Sequence, residues 1–156
     1  MSPTIYRVRE LVVSYTSTRQ SLPIPVIGRL TMPRDAAILA SALLADATVE
    51  KMLALHVTTK HELIGVHVVS TGTLDAAIVH PRDVFQAALL SNAAGLLLVH
   101  NHPSGYPTPS PDDRALVARL HAAGELLGVP LLDALIVTDQ VDGLRYFSFR
   151  EAGVLS

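Results

Sequence analysis

Cysteine is absent from this chain of 156 residues. Its absence excludes disulfide bonds and thiolate metal ligands, so any bound metal must be held by nitrogen and oxygen atoms. No apolar run approaches the roughly 18 residues that a membrane helix needs. The start of the chain, MSPTIYRVRE, also lacks the apolar core of a signal peptide. We therefore expect a cytoplasmic protein with no membrane segment.

Concentrated positive charge is missing as well. The net charge is −2, and the twelve lysines and arginines are scattered along the chain. Proteins that bind nucleic acid through phosphates usually gather basic residues on one face, because displaced counterions supply much of the affinity. The charge pattern does not require a nucleic-acid partner, but arginines that are distant in sequence can converge in a fold, so such a partner stays possible.

What the chain does contain is typical of a globular protein. Hydrophobic residues make up 49% of it and charged residues 17%, which is outside the composition expected for disorder. The length fits one domain with a sizeable core. We expect residues 1–156 to form a single domain.

Hydrophobic periodicity predicts about six strands and three helices. The predicted strands are Ile5–Tyr15, Val49–Val57, Glu62–Val69, Gly95–Val99, Leu131–Thr138 and Leu144–Phe149, and the predicted helices are Pro33–Ala45, Pro81–Ala94 and one that begins near Pro111. The run Val49–Val57 is largely apolar on both faces, which is typical of an interior strand. Hairpins occur beside helical crossovers, so we expect a layered α/β domain with a mixed, partly antiparallel sheet flanked by helices.

The segment HNHPSGYPTPSPDD contains the residues best suited to chemistry. His100 and His102 are two apart at the exit of a predicted buried strand, where alternate residues point the same way, so both imidazoles can reach one ion. A loop stiffened by prolines then leads to Asp113 in the first turn of the third predicted helix. Three such ligands leave a fourth zinc position open to water, as in catalytic sites.

A purely structural interpretation of the same residues also exists. His-x-His arises often by chance. Ser110 is a suitable helix cap and Pro111 a suitable first helical residue. Acidic residues at 112 and 113 are favoured by the helix dipole. From these residues alone, both interpretations stay open.

The complete pattern resembles the JAMM (MPN-plus) metalloprotease motif. It consists of His-Asn-His-Pro, a serine eight positions after the second histidine, and an aspartate three positions beyond that serine. In the RadC-like branch of the family the motif sequence is close to HNHPSG-x-PTPS-x-x-D, and every fixed position of that motif is present here. The segments GTLDAAIVHPRDVFQAALLSNAA and AGELLGVPLLDALIV are also similar to RadC-like proteins. From about Tyr6 onward, the resemblance implies a JAB/MPN domain, a layered fold like that of cytidine deaminases.

The resemblance also implies a set of site residues. His100, His102 and Asp113 correspond to the ligands of a Zn²⁺ ion. Ser110 corresponds to the serine that helps to stabilise the carbonyl oxygen of the substrate. Asp112 is the rival to Asp113 as a ligand, but the motif spacing selects the second acid.

An upstream glutamate of the family acts on the water that zinc activates, and two residues compete for this role. The family pattern, an acid that opens an apolar strand in the form E-x-x-x-x-L, matches EKMLAL and favours Glu50. Glu62 is expected at a hairpin turn, where a solvated acid is ordinary. The structural interpretation of Glu50 itself is a strand-end carboxylate that faces solvent. As general base, Glu50 would take the proton of the water and pass it to the leaving amine.

We therefore expect a zinc-dependent hydrolase that cleaves an amide, peptide or isopeptide bond in a peptide or protein substrate. The alternatives are an accessory protein of DNA repair or recombination, as the name of the RadC family suggests, and a non-catalytic binding scaffold. RadC-like chains commonly carry an N-terminal helix-hairpin-helix region linked to DNA. We expect none here, because only about 30 residues precede the first predicted helix. Neither the substrate nor the oligomeric state can be predicted from the sequence.

The remaining residues of interest have weaker signals. His56 shares a predicted strand face with Glu50, where a hydrogen-bonded core histidine is favoured over a role beside the metal. His80 suits either entry into a helix or contact with substrate. Ala134 stands where the family usually has a histidine. Tyr106 replaces an acidic or small residue that is more frequent in this loop, which is expected to alter contacts at the rim of the site and to leave the metal ligands unchanged. Three histidines have no partner at a suitable spacing and are expected to be ordinary surface or strand residues: His61, His67 and His121.

Overall fold

A computed structural model describes residues 28–72, 79–138 and 143–155 of the chain. The helices in these residues are α1 (Pro33–Leu43), α2 (Pro81–Leu90) and α3 (Pro111–Leu127). The strands are β1 (Lys51–Val57), β2 (Leu63–Thr71), β3 (Gly95–His102), β4 (Leu131–Thr138) and β5 (Tyr146–Ser148). Among the described residues, no helix combines the length and the apolar character needed to cross a membrane.

The strands form one mixed sheet in the order β2-β1-β3-β4-β5. β3 and β4 are parallel and are connected through α3, whereas the other neighbours pair antiparallel. This arrangement confirms the predicted α/β fold with a mixed sheet. Met52 of β1 pairs with His100 of β3. The amino end of β1 therefore lies at the same edge of the sheet as the carboxyl ends of β3 and β4.

Alternate residues of the central strands face two separate cores. Met52 and Ala54 belong to the core beneath α2 and α3, whereas Leu53 and Leu55 belong to the core beneath α1. All four are buried, which confirms the prediction of an interior strand with two apolar faces. Complete burial of a leucine side chain stabilises a fold by about 1.5–3 kcal/mol. These buried strands therefore form a stable support for the residues at their ends.

Two predicted boundaries move in the structure. β3 continues through His102, whereas the prediction ended at Val99, because residues 100–102 still pair with β4 although they are polar. α2 ends at Leu90, whereas the prediction continued to Ala94, because Asn92 has a φ of 50° and leaves the helical conformation. The histidines of the predicted metal site therefore belong to a strand.

The other predicted elements agree with the structure to within two residues at each end where they are described. α1 ends at Leu43 rather than Ala45, and β1 begins at Lys51 rather than Val49. The last strand is shorter than predicted, Tyr146–Ser148 rather than Leu144–Phe149, with Phe149 forming a turn. The predicted strand Ile5–Tyr15 lies outside the described residues. The described part of the sheet thus accounts for five of the six predicted strands.

A buried carboxylate joins β4 to β5 and to the turn that follows. Asp133 is 2% exposed and accepts hydrogen bonds from Ser148 Oγ at 2.6 Å, Ala134 N at 2.7 Å and Arg150 N at 2.9 Å. Burial raises the pKa of the Asp133 carboxyl, although these hydrogen bonds act in the opposite direction. All of these partners are protein groups, so this cluster is closed.

Candidate metal centre

The two histidines of the motif meet at the end of β3. A strand places alternate side chains on one face, so His100 and His102 project together. Their Nε2 atoms are 3.0 Å apart. His102 Nδ1 lies 2.9 Å from the carbonyl oxygen of Tyr106, and a carbonyl only accepts hydrogen bonds. Neutral His102 therefore carries its proton on Nδ1, which leaves the lone pair of Nε2 available to a metal ion.

Asp113 reaches the histidines from the first turn of α3. Its carboxylate oxygens lie 3.2 Å from His100 Nε2 and 3.7 Å from His102 Nε2. Asp113 is 8% exposed, whereas its neighbour Asp112 is exposed to solvent. One ligand atom from each of the three buried or half-buried residues lies within 4.8 Å of the others. Among the described residues, this is the group of three or more that could hold a metal ion.

A capping box fixes the direction of Asp113. The backbone N–H and the hydroxyl of Ser110 both donate to Asp113 Oδ2 at 2.7 Å, and Ser110 Oγ accepts from Asp113 N at 3.1 Å. Burial raises the pKa of Asp113, but the hydrogen bonds from His100 and Ser110 outweigh it and hold the pKa well below its usual range. The helix-start interpretation and the ligand interpretation thus describe the same geometry, because the cap aims the carboxylate at the histidines.

Glu50 lies beside the same cluster, immediately before β1. Its Oε1 atom is 3.8 Å from His102 Nε2, and its side chain is half-buried. Gly72, with a φ of 112° that favours glycine, donates its N–H to the carbonyl oxygen of Glu50 at 2.8 Å. The structure therefore places the Glu50 carboxylate next to His102, one of the three predicted ligands.

Glu62, the competing glutamate, lies at the other end of β1. It exchanges hydrogen bonds with Thr58, which follows the last residue of that strand, and its carboxylate pairs with Arg29 at 3.7 Å. The length of a seven-residue strand, about 20 Å, separates it from the cluster. The structure does not bring Glu62 to the candidate site.

Asn101, between the two histidines, is a site residue that the sequence analysis did not single out. Its side chain is buried and hydrogen bonds to the segment that contains Glu50. Strand alternation alone could have indicated that it points away from His100 and His102. Its partners are distant in sequence, at positions 49 and 51, and only the register of β1 against β3 reveals them.

A cavity of about 830 Å³ opens beside His102. α1 and the loop after it form one wall, and the ends of β3 and β4 form the other. Tyr106 is 72% exposed in the loop that leads from His102 to Ser110. Of His100, His102, Asp113 and Glu50, only His102 lines this cavity, whose volume is that of an ordinary ligand-binding pocket.

His56 lies away from this cluster, as a core histidine. It pairs with Leu96, four residues before His100 in β3, and is 3% exposed. Its Nδ1 atom lies 3.1 Å from Ser91 Oγ. Burial, with a smaller contribution from nearby His67, lowers the pKa of His56 to about 4. This environment holds His56 in its neutral form and agrees with the structural interpretation of that residue.

The other residues noted in the sequence also lie away from the ligands. His80 precedes the first residue of α2 and is exposed, without a hydrogen bond from its side chain to the helix end. Ala134 is buried in the core beneath α2 and α3, where it pairs with Leu98 of β3. The position at which the family usually has a histidine is therefore filled here by a small apolar side chain, two residues along β4 from the partner of His100.

Comparison with known proteins identifies a family and several relatives of similar sequence. A family model described as RadC-like JAB domain matches residues 30–154. A UPF0758 protein of Thermotoga maritima is 52% identical over 97 residues, which cover 62% of this chain and 42% of that protein. UPF0758 proteins of Shouchella clausii and Methanosarcina acetivorans are 42% and 39% identical, and each match covers 80% of this chain. The chain spans about half the length of these curated relatives.

Proposed function

The chain belongs to the RadC-like JAB domain family, and on that premise we propose that it is a zinc-dependent hydrolase of an amide, peptide or isopeptide bond. One observation carries the proposal. The side chains of His100, His102 and Asp113 converge within 4.8 Å of one another, with a carboxylate from a separate segment, Glu50, beside them. This is a set of three metal ligands together with a candidate base.

The donor atoms fit zinc. Imidazole nitrogens with one carboxylate oxygen form a common ligand set of catalytic zinc sites, which keep one position open. The fixed tautomer of His102 supports this assignment, because its Nε2 lone pair has no proton in the neutral ring. Zinc held by these side chains supplies a Lewis acid that makes hydroxide available near neutral pH.

Glu50 is the proposed general base. Its carboxylate is half-buried and lies 3.8 Å from His102 Nε2, so it can accept a proton from a water molecule beside His102. The same carboxyl group then donates that proton to the leaving amine, which cannot depart as an anion at neutral pH. Both steps require that the carboxylate stays within hydrogen-bond reach of the reacting atoms.

Ser110 is the proposed donor to the oxygen of the tetrahedral intermediate. Its hydroxyl proton points to Asp113 Oδ2, so it must turn towards the substrate when negative charge develops there. Asp113 does not lose its orientation in that case, because the backbone N–H of Ser110 still donates to the same oxygen at 2.7 Å. The capping box therefore allows one hydroxyl to serve both purposes in turn.

The cavity beside His102 is the proposed approach for the substrate. Apolar side chains such as Ile38 and Leu44 line it together with the polar side chains of Asn101 and Asp46. A groove of about 830 Å³ has room for a segment of a few residues, as the proposed peptide or protein substrate requires.

The experiment is a hydrolysis assay of the zinc-loaded protein on a panel of internally quenched peptides and isopeptide-linked peptide pairs. We expect turnover by the wild type and a loss of about 10²–10⁴-fold in kcat for Glu50→Gln, with zinc content unchanged. Glu62→Gln is the matched control and should keep wild-type turnover. Zinc-loaded wild type that cleaves nothing in the panel, or a Glu50→Gln variant as active as wild type, would contradict the proposal.

A further inference from the structure

The side chain of Asn101 is bonded to both neighbours of Glu50. Asn101 is 8% exposed. Its Oδ1 atom accepts a hydrogen bond from Lys51 N at 2.7 Å, and its Nδ2 atom donates to the carbonyl oxygen of Val49 at 3.1 Å. The amide thus contacts the backbone immediately before and immediately after the proposed base, although about 50 residues of sequence separate them.

These bonds continue the sheet beyond the point where the backbone ladder ends. The last backbone pair between β1 and β3 joins Met52 to His100. From there on, the Asn101 side chain takes the place of a peptide group of β3. On the other side of the same segment, Gly72 at the end of β2 donates to the carbonyl oxygen of Glu50. The backbone that carries Glu50 is therefore held from both sides.

Only a primary amide of this length suits the position. Asparagine offers an acceptor and a donor side by side, as a peptide group does, whereas aspartate lacks the donor and glutamine is longer by one methylene. β3 also connects the proposed base to the metal ligands. Because Asn101 lies between His100 and His102, the residue that orients the Glu50 segment moves with the two ligands.

We propose that Asn101 is a positioning residue, which sets the distance of the Glu50 carboxylate from the metal ligands. The inference rests on the proposed function, because it assigns Asn101 to the base of that reaction. A displacement of about 1 Å in a catalytic group can cost about 10²-fold in rate. Losing Asn101 should therefore impair proton transfer and leave zinc binding intact.

The kinetic test compares Asn101→Ala with wild type. We expect a 10–100-fold lower kcat, the range found when groups that orient a metal site are removed, with zinc content unchanged. In a Glu50→Gln background the same substitution should have almost no further effect, because the base through which it acts is already gone. An equal fold-loss in both backgrounds would show that Asn101 acts on stability or on zinc, and would overturn the proposal.

Two further variants serve as a control and as a substitute in this test. Asn92→Gly removes the side chain of the chain's other asparagine, at a position whose φ of 50° glycine adopts easily, and it should keep wild-type kcat. If Asn101→Ala does not fold, Asn101→Asp keeps the size and the acceptor for Lys51 N and removes only the donor to Val49. It should show a smaller loss of kcat in the same direction, and wild-type kcat in this variant would count against the proposal.

A structural measurement separates this inference from the proposed hydrolysis. In Asn101→Ala, amide hydrogen exchange at Lys51 should be at least about 10-fold faster than in wild type, since the N–H loses its partner. Crystals of the zinc-loaded proteins should show the Glu50 carboxylate displaced in the variant, with His100 and His102 in place. If the wild type binds zinc but hydrolyses nothing, the proposed function fails, and these two readouts alone decide the positioning role. An unchanged Lys51 exchange rate with an unmoved Glu50 would refute it.

Discussion

Two buried aspartates, Asp113 and Asp133, have opposite relations to their surroundings. Asp133 is 2% exposed, and its three hydrogen-bond donors are the N–H groups of Ala134 and Arg150 and the hydroxyl of Ser148. Asp113 is 8% exposed, and its carboxylate is shared between the cap of α3 and two imidazole nitrogens on another element. The Asp133 carboxylate is saturated by nearby donors, whereas the Asp113 carboxylate also faces two imidazole nitrogens of another element.

The pKa values of the two carboxyl groups move in opposite directions. Burial acts to raise both. For Asp133 burial prevails over the hydrogen bonds from Ser148, Arg150 and Ala134, and the pKa is raised. For Asp113 the hydrogen bonds from His100 and Ser110 prevail, and the pKa is lowered. The Asp113 cluster therefore keeps its carboxylate ionised, as a metal ligand must be.

The difference shows that burial of a charged residue does not by itself mark a functional site. A closed cluster uses the acceptor capacity of its carboxylate on protein donors and stabilises the fold. In the cluster of Asp113, His100 and His102, three side chains direct potential ligand atoms to one place, where a cation can replace the proton that His100 shares with Asp113. Variants that separate stability from zinc binding can test this distinction.

The largest effect on stability is expected from Asp133→Ala. It removes the acceptor of three hydrogen bonds and should lower the free energy of unfolding by about 2–4 kcal/mol, measured by urea unfolding of the metal-free protein. Asp113→Ala loses the capping box and the contact with His100 and should cost less, about 1 kcal/mol. Equal losses for the two variants would remove the distinction between the clusters. Asp133→Asn, which keeps one acceptor oxygen, should lose less than Asp133→Ala.

Zinc should reverse the ranking of the two aspartates. At free zinc 100-fold above its Kd, a ligand that binds only the folded state stabilises it by about 2.7 kcal/mol. We expect this shift for the wild type and for Asp133→Ala, and none for Asp113→Ala, in unfolding curves recorded with and without zinc. A zinc-dependent shift that survives in Asp113→Ala would mean that the metal binds elsewhere.

A smaller effect is expected from His56, a second closed group. Its pKa in the folded protein is about 4, below the ordinary value of 6.5, so the unfolded chain binds a proton that the folded chain does not. Stability is therefore full above pH 6.5 and falls as the pH drops towards 4, by about 2 kcal/mol between pH 7 and 5. His56→Gln should lack this part of the pH dependence, whereas His80→Gln, a change at an exposed histidine, should retain it. Parallel curves for all three proteins would contradict the assignment.

The smallest effect separates the two roles of Ser110. Ser110→Ala should lower stability by about 1 kcal/mol through the lost cap, and Ser110→Gly by only a few tenths, since glycine is tolerated at a helix start. Both variants lack the hydroxyl, so both should lose kcat to the same extent if it stabilises the oxyanion. A kcat loss that follows stability instead would leave Ser110 as a helix cap only.

Much of the fold was predictable from local patterns, and the failures have physical reasons. The continuous apolar run of β1 and the helix-start residues of α3 at Pro111 were sufficient to define those elements. β3 was predicted too short because its last three residues are polar, and their pairing with β4 is a tertiary effect. α2 was predicted too long because Ala93 and Ala94 favour a helix, whereas Asn92 leaves it with a positive φ.

The candidate site was predictable where one segment contains it. The motif from His100 to Asp113 is contiguous, and its spacing names the three residues that the structure brings together. Glu50 could be selected only by likeness to the family, because its distance from His102 depends on the register of β1. Asn101 was missed for the same reason, since its bonds to residues 49 and 51 depend on that register.

The most direct test of the metal centre is zinc content per chain, by elemental analysis of protein purified without added metal and again after zinc is supplied. We predict close to one zinc in the wild type and in Asp112→Ala, whose carboxylate is exposed, and close to none in Asp113→Ala. A wild-type protein that takes up no zinc even when it is supplied, or an Asp113→Ala variant that keeps it, would contradict the account.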